Sequence, residues 1–208
     1  MKSNQRVTYY FSVISDWAYM GGAQFAQLVN RHNLDVAYRP FILERLYSST
    51  GGILLSKRSP QRQAYRVAEL RRWSKRLGIP VNHFPKYSTT DDKPASRLIA
   101  LFQERGLDTG TLVRRIHRAV WLEERDIAQD STLLQIMEGM GTPDGRVLLE
   151  DSKSEYHSNI LDGFTKEAAD NGVFGSPFYI YDGEIYWGQD RLDMLEEQIV
   201  NSYEKAAG

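Results

Sequence analysis

Apolar residues follow one rhythm near the two ends of the chain and another between them. Val7 to Ile14 is a nearly continuous β-branched and aromatic run, as a buried strand requires, and Trp17, Phe25, Leu28 and Val29 then recur at intervals that suit a helix. That helix stops near Asn33, and Leu34 to Phe41 reads as a second strand. Strand, helix and strand in this order predict a right-handed βαβ unit with parallel strands. Ser48 to Gly52 is small and polar and reads as a loop.

From there the pattern is helical. Ser59-Pro60 opens a helix with Val67, Leu70, Trp73 or Ser74, and Leu77 on one face, and Gly78 and Pro80 stop it. Shorter helices carry Leu98, Leu101 and Phe102, then Leu112, Ile116 and Val120, then Ser131 to Met140, and Thr142-Pro143 reads as the start of another. Tyr156, Ile160, Phe164 and Ala168 mark a longer helix ended by Asn171-Gly172. At Pro177 the period returns to two. Phe178 to Tyr181 and Glu184 to Trp187 flank Asp182-Gly183, a strong hairpin signal, and a last helix starts at Gln189-Asp190 with Leu192, Leu195 and Ile199 facing inward. The expected architecture is α/β: βαβ and ββα halves pairing into one mixed sheet, with an all-helical insertion. Residues 1–50 and 152–208 are expected to form the sheet domain and 51–151 the insertion.

The break at Ser15-Asp16 is where chemistry is expected. A strand running straight into a helix leaves the first backbone N–H groups of that helix beside Ser15, where they can hold an anion or stabilise a thiolate. The competing reading is that Ser15 or Asp16 only caps the helix.

Composition removes several alternatives. With 41% hydrophobic and 25% charged residues the chain is an ordinary globular protein, and no apolar run is long enough to span a bilayer. The N-terminus lacks an apolar signal region, so the cytoplasm is the expected compartment. The absence of cysteine excludes disulfides, thiolate metal sites and a cysteine nucleophile on the protein, so any sulfur chemistry uses an imported thiol. The four histidines are scattered, and no metal site is expected. A net charge of −1 argues against nucleic acid as a partner, although Lys57 to Arg76 holds eight basic residues against Glu69. This stretch is either a solvated helix face or a positive rim for a small anionic molecule.

The element order, with Pro177 directly before the third strand, resembles a thioredoxin fold of the DsbA-like type with a helical insertion. Redox members of that group carry CxxC in the first turn, where this chain has Ser15-Asp16-Trp17-Ala18, so the dithiol route is chemically closed. Within the fold the sequence resembles 2-hydroxychromene-2-carboxylate isomerases and, more distantly, kappa-class glutathione transferases, from Tyr10 to Leu195. The most specific pieces are Gly172-Val173-Phe174-Gly175-Ser176-Pro177 and Trp187-Gly188-Gln189-Asp190-Arg191-Leu192, supported by Arg39-Pro40-Phe41 and the helix Tyr65 to Leu77.

The resemblance implies a glutathione-dependent isomerase acting on a small unsaturated or aromatic carboxylic acid, cytoplasmic and homodimeric. It implies glutathione as cofactor, with Ser15 as the catalytic residue at its thiol. Trp17, Phe174, Ser176 and Pro177 would stand around it, and Gln189 and Asp190 would hold its γ-glutamyl end. A substrate carboxylate would meet Arg62, Arg58 or Lys57. The chain departs from the family where many isomerases have Pro after the serine and a second Ser in the turn, here Asp16 and Ala18. It departs also at Gly51-Gly52, where an Asn is frequent, and at Ser176, where a small apolar residue is common. A kappa-like transferase or peroxidase, and a non-catalytic thioredoxin-fold binding module, are the competing readings.

Overall fold

The protein is described by a computed structural model covering residues 5–207. Strand β1 (Arg6–Phe11) turns into helix α1 (Asp16–His32), and β2 (Asp35–Pro40) runs parallel to β1 with Val7 opposite Val36 and Phe11 opposite Pro40. Helices follow in succession: α2 (Leu43–Thr50), α3 (Pro60–Leu77), α4 (Lys93–Glu104), α5 (Thr109–Trp121), α6 (Asp130–Gly139), α7 (Gly145–Ser152) and α8 (Glu155–Asp170). Strands β3 (Phe178–Tyr181) and β4 (Glu184–Trp187) form an antiparallel hairpin, and a 3₁₀ turn, Gln189–Arg191, leads into α9 (Leu192–Ala207). Because β3 also pairs antiparallel with β1, the four strands lie in the order β2, β1, β3, β4, one mixed sheet built from both ends of the chain.

The hairpin turn has the geometry its residues demand. Asp182 and Gly183 both adopt positive φ, 50° and 79°, as a tight two-residue turn matched to the strand twist requires. Tyr9 stacks on Tyr179 at 4.9 Å and meets Phe25 of α1 at the same distance, so the pairing of β1 with β3 and the seating of α1 rest on one aromatic group. Val7 and Phe11 share a continuous core with Leu98 and Phe102 of α4 and Ile116 and Trp121 of α5. Helices α4 and α5 therefore share the core of the sheet. Among the described residues no helix is long and apolar enough to cross a membrane.

Several local expectations are corrected. β1 ends at Phe11, because Ser12 turns the chain: its carbonyl accepts from the Ser15 N–H at 3.0 Å and its own N–H donates to Ser176 Oγ at 3.0 Å. Ser48 to Thr50 is the last turn of α2, not loop; the three hydroxyls donate back to the carbonyls of Arg45 and Leu46, Leu46 is fully buried, and Gly51 closes the helix at φ 75°. Thr142-Pro143 does not start a helix, since α7 begins at Gly145 behind Asp144. On α8 Ala168 is buried as expected, but the rest of the inward face is His157, Leu161 and Thr165, one position on from Tyr156, Ile160 and Phe164, and Tyr156 is exposed. His157 can be buried there because Ser154, the Asp151 carbonyl and Glu104 satisfy its ring nitrogens.

Candidate active site

The turn between β1 and α1 sets the site. Ser15 is the N-cap of α1, in extended conformation, and its Oγ accepts from the Ala18 N–H at 3.2 Å. The Ser15 hydroxyl donates to the Ser176 carbonyl at 3.3 Å. That contact is long for a hydroxyl donor, so the proton is weakly held and free to turn to a stronger acceptor. Ser176 precedes Pro177 through a cis peptide bond. The Ser15 side chain and the Ser176 carbonyl thus join the start of α1 to the segment before β3.

Asp16, the residue that stands next to the serine, is fully engaged. Its Oδ1 accepts from the Trp17 N–H at 2.8 Å, and its Oδ2 pairs with Arg66 Nε of α3 at 2.5 Å. Both partners are mostly buried, and the Arg66 guanidinium lies over the Trp121 ring at 5.3 Å. The Asp16 charge beside Ser15 is therefore paired, and the positive end of the α1 dipole lies at the serine.

A buried histidine fixes the turn from behind. His117 of α5 bonds through Nε2 to the Ser12 carbonyl at 3.2 Å and packs edge-on against Phe11 at 5.7 Å. Burial disfavours its charged form and pushes it down to about 4, with the Ser12 carbonyl opposing more weakly, so it is a neutral donor near pH 7.

Ser15, Trp17 and Ser176 line one cleft of about 480 Å³, a volume within the range of small-molecule sites. Arg58 lines it as well, together with Asp16, Arg66, Asp92 and Trp121. Lys57 and Arg62 are exposed and do not line it; the Arg62 backbone N–H donates instead to the Ser59 cap. Gln189 and Asp190 line a separate cavity of about 630 Å³, with Met20, Gln24 and Arg31 of α1 and Trp73 of α3. Gln189 is nearly enclosed, its Oε1 has no hydrogen-bond partner, and α1 passes so close that a Cβ on Gly21 would lie 2.8 Å from the Gln189 Cβ. Asp190 is half exposed and pairs with Arg191 at 2.8 Å. Phe174 lines neither cavity and packs edge-on against Phe178 and Trp187, and Pro177 is buried.

Arg66, His117 and Asp92 were not among the sequence candidates. Arg66 sits on a helix whose regular run of basic residues gives no sign of which one turns inward, and His117 carries no spacing signal. Asp91-Asp92 before Pro94 reads as an ordinary helix start.

The family described as a DSBA-like thioredoxin domain matches residues 6–200. The chain belongs to this family. Within the DSBA-like group it is 27% identical over 198 residues to a 2-hydroxychromene-2-carboxylate isomerase of Sphingobium xenophagum, covering 94% of this chain and 98% of the relative. It is 24% identical to glutathione S-transferase kappa 1 of Caenorhabditis elegans, covering 92% and 89%. A solved structure of 2-hydroxychromene-2-carboxylate isomerase superposes with a TM-score of 0.84 over 97% of this chain and 98% of the other, at 23% identity, and shows the same thioredoxin-like fold. The sequence relatives are thus named as isomerases and transferases.

Proposed function

We propose that the protein is a glutathione-dependent isomerase acting on a small unsaturated or aromatic carboxylic acid. The observation that carries this reading is the Ser15 hydroxyl, set at the N-terminus of α1 and 3.3 Å from the Ser176 carbonyl in a cleft of small-molecule size. Three features fit glutathione. Ser15 offers a hydroxyl donor at a helix N-terminus. The Ser176 N–H has no protein partner among the described residues, so the segment before β3 can take an extended peptide as an added strand. The unpartnered Gln189 Oε1 is an acceptor suited to an ammonium group.

In this reading Ser15 and Ser176 hold the cysteinyl part, with Trp17 beside it, and Gln189 and Asp190 hold the γ-glutamyl end, while Phe174 and Pro177, which line neither cavity, are not contacts. Bound glutathione supplies a thiolate that adds reversibly to a conjugated substrate and so allows rotation or ring opening about the former double bond. The chain's own residues prepare that chemistry. Ser15 turns its proton from the Ser176 carbonyl toward the sulfur, and α1 favours the anion there. Arg66 keeps the Asp16 charge from opposing it, and His117 holds the Ser12 to Ser15 turn in place. Arg58, at the cleft wall, is the cation for a substrate carboxylate in preference to Arg62 or Lys57.

The reading extends to a cytoplasmic homodimer, which light scattering after size exclusion checks. Incubation with 2-hydroxychromene-2-carboxylate and glutathione tests the activity: isomerised product with glutathione recovered unchanged is expected. Consumption of glutathione with an electrophile or a peroxide would instead indicate kappa-like transferase or peroxidase activity, the alternative that the kappa-class relative supports.

A further inference from the structure

Helix α3 is covered over too little of its surface for its length. Of its 18 residues Leu70 alone is buried, Tyr65 is 62% exposed, and Glu69 is the single acid against Arg62, Arg66, Arg71, Arg72, Lys75 and Arg76. A helix is held in a protein mainly by the face it packs, and α3 leaves most of its circumference without a partner.

The uncovered side of α3 shares one face of the molecule with α9, and the two helices carry opposite charge. Trp73 and Arg76 of α3 line the cavity of about 630 Å³ together with Asp193 and Glu196 of α9, and α1, which touches both helices, contributes Met20, Ala23 and Gln27. Arg72 and Arg76 stand one turn apart on α3, and Asp193 and Glu197 one turn apart on α9; all four are exposed. Among the described residues Arg76, Asp193 and Glu197 belong to no ion pair, and Arg72 pairs with Glu69 of its own helix. Arg76 lies over the Trp73 ring at 5.4 Å, and Asp193 accepts from Gln24 at 2.9 Å.

A basic ridge and an acidic ridge thus lie on one face without neutralising each other. A partner of a single charge sign satisfies one of them and is repelled by the other. A second copy of the chain satisfies both, because a two-fold axis normal to this face sets α3 of each copy against α9 of the other. Val200, which lies along α9 with Asp193 and Glu197, and Tyr65 on α3 supply exposed apolar surface beside the charges.

We propose that this face is a self-complementary dimer interface, with the Arg72 and Arg76 ridge of one copy seated on the Asp193 and Glu197 ridge of the other. The contact also closes the cavity that Gln189 and Asp190 line. In that respect it rests on the isomerase reading, which gives this cavity to the γ-glutamyl end of glutathione, and each copy then binds glutathione fully only with its partner in place.

The test uses two charge-reversed proteins, Arg72→Glu/Arg76→Glu and Asp193→Lys/Glu197→Lys, followed by sedimentation velocity and checked for folding by circular dichroism. Single reversals, Arg76→Glu and Asp193→Lys, serve where a double variant fails to fold. Wild type is expected to be a dimer at micromolar concentration. Each variant alone sets like charges together at both contacts and should weaken the dimer about 100-fold or more, whereas an equimolar mixture of the two has attraction at both contacts and should recover it. Variants that are merely destabilised do not rescue each other. A monomeric wild type, a dimer that survives both reversals, or a mixture of folded variants that stays monomeric overturns the proposal. Glutathione should bind wild type and the mixture more tightly than either variant alone, and equal affinity overturns the closing role. Failure of glutathione to bind wild type, with the dimer and its rescue intact, counts against the cofactor reading alone.

Discussion

Arg66 Nε lies 2.5 Å from Asp16 Oδ2, so a residue of α3 cancels the negative charge that follows Ser15 in the sequence. A free carboxylate there would raise the pKa of any thiol held by Ser15; a paired one leaves the helix terminus positive.

Replacing Arg66 by Gln uncovers Asp16. Because both side chains are mostly buried, the variant is expected to lose about 3 kcal/mol of stability in chemical denaturation. The thiol pKa of bound glutathione, read from thiolate absorbance, should rise at the same time. Asp16→Asn/Arg66→Gln should recover the lower thiol pKa, which a purely structural role for the pair does not predict.

Asp92 carries a pH signature of its own. Its folded-state value, about 6, lies above the ordinary 3.8, so the folded state resists its ionisation. The stability linked to this group is full below about pH 4 and is lost as pH rises through about 6. Asp92→Asn should therefore be more stable than wild type at pH 7 to 8 by up to about 3 kcal/mol, and the gap should close toward pH 4. Denaturation curves at these pH values give the difference directly.

His117 acts with the opposite sign. Its folded-state value, about 4, lies below the ordinary 6.5, so the stability it contributes is present above pH 6.5 and is lost as pH falls toward 4. Wild type should lose about 3 kcal/mol over that interval on account of this residue. His117→Gln should lack that acid-sensitive increment, seen as a shallower decline in unfolding free energy between pH 6.5 and 4.

Much of this arrangement was legible in the sequence because it is written in periodicity. The strand runs, the Asp182-Gly183 turn, the Ser59-Pro60 start and the Gly78 stop all follow from local preferences, whereas the strand order rests on the long-range pairing of β1 with β3. The helix Leu43–Thr50 was missed because its serines and threonine look like loop residues unless their hydroxyls are seen to return to the preceding turn. The α8 face was displaced by one because a histidine and a threonine, satisfied by Ser154, Glu104 and nearby carbonyls, occupy its buried side. At the site, Ser15 announces itself by interrupting an apolar run, whereas Arg66, Asp92 and His117 acquire their roles only through neighbours fifty or more residues away along the chain or through burial. No spacing rule encodes that.

In the proposed reading the Ser15 hydroxyl stabilises the thiolate of bound glutathione. It is tested most directly by titrating glutathione into wild type and Ser15→Ala by calorimetry while following thiolate absorbance across pH. Saturable binding to wild type is expected, with a thiol pKa below that of free glutathione, and a value raised toward the free one in Ser15→Ala with binding retained. Identical thiol pKa values in the two proteins, or no binding to wild type at millimolar glutathione, would contradict it and leave the binding-module reading in its place.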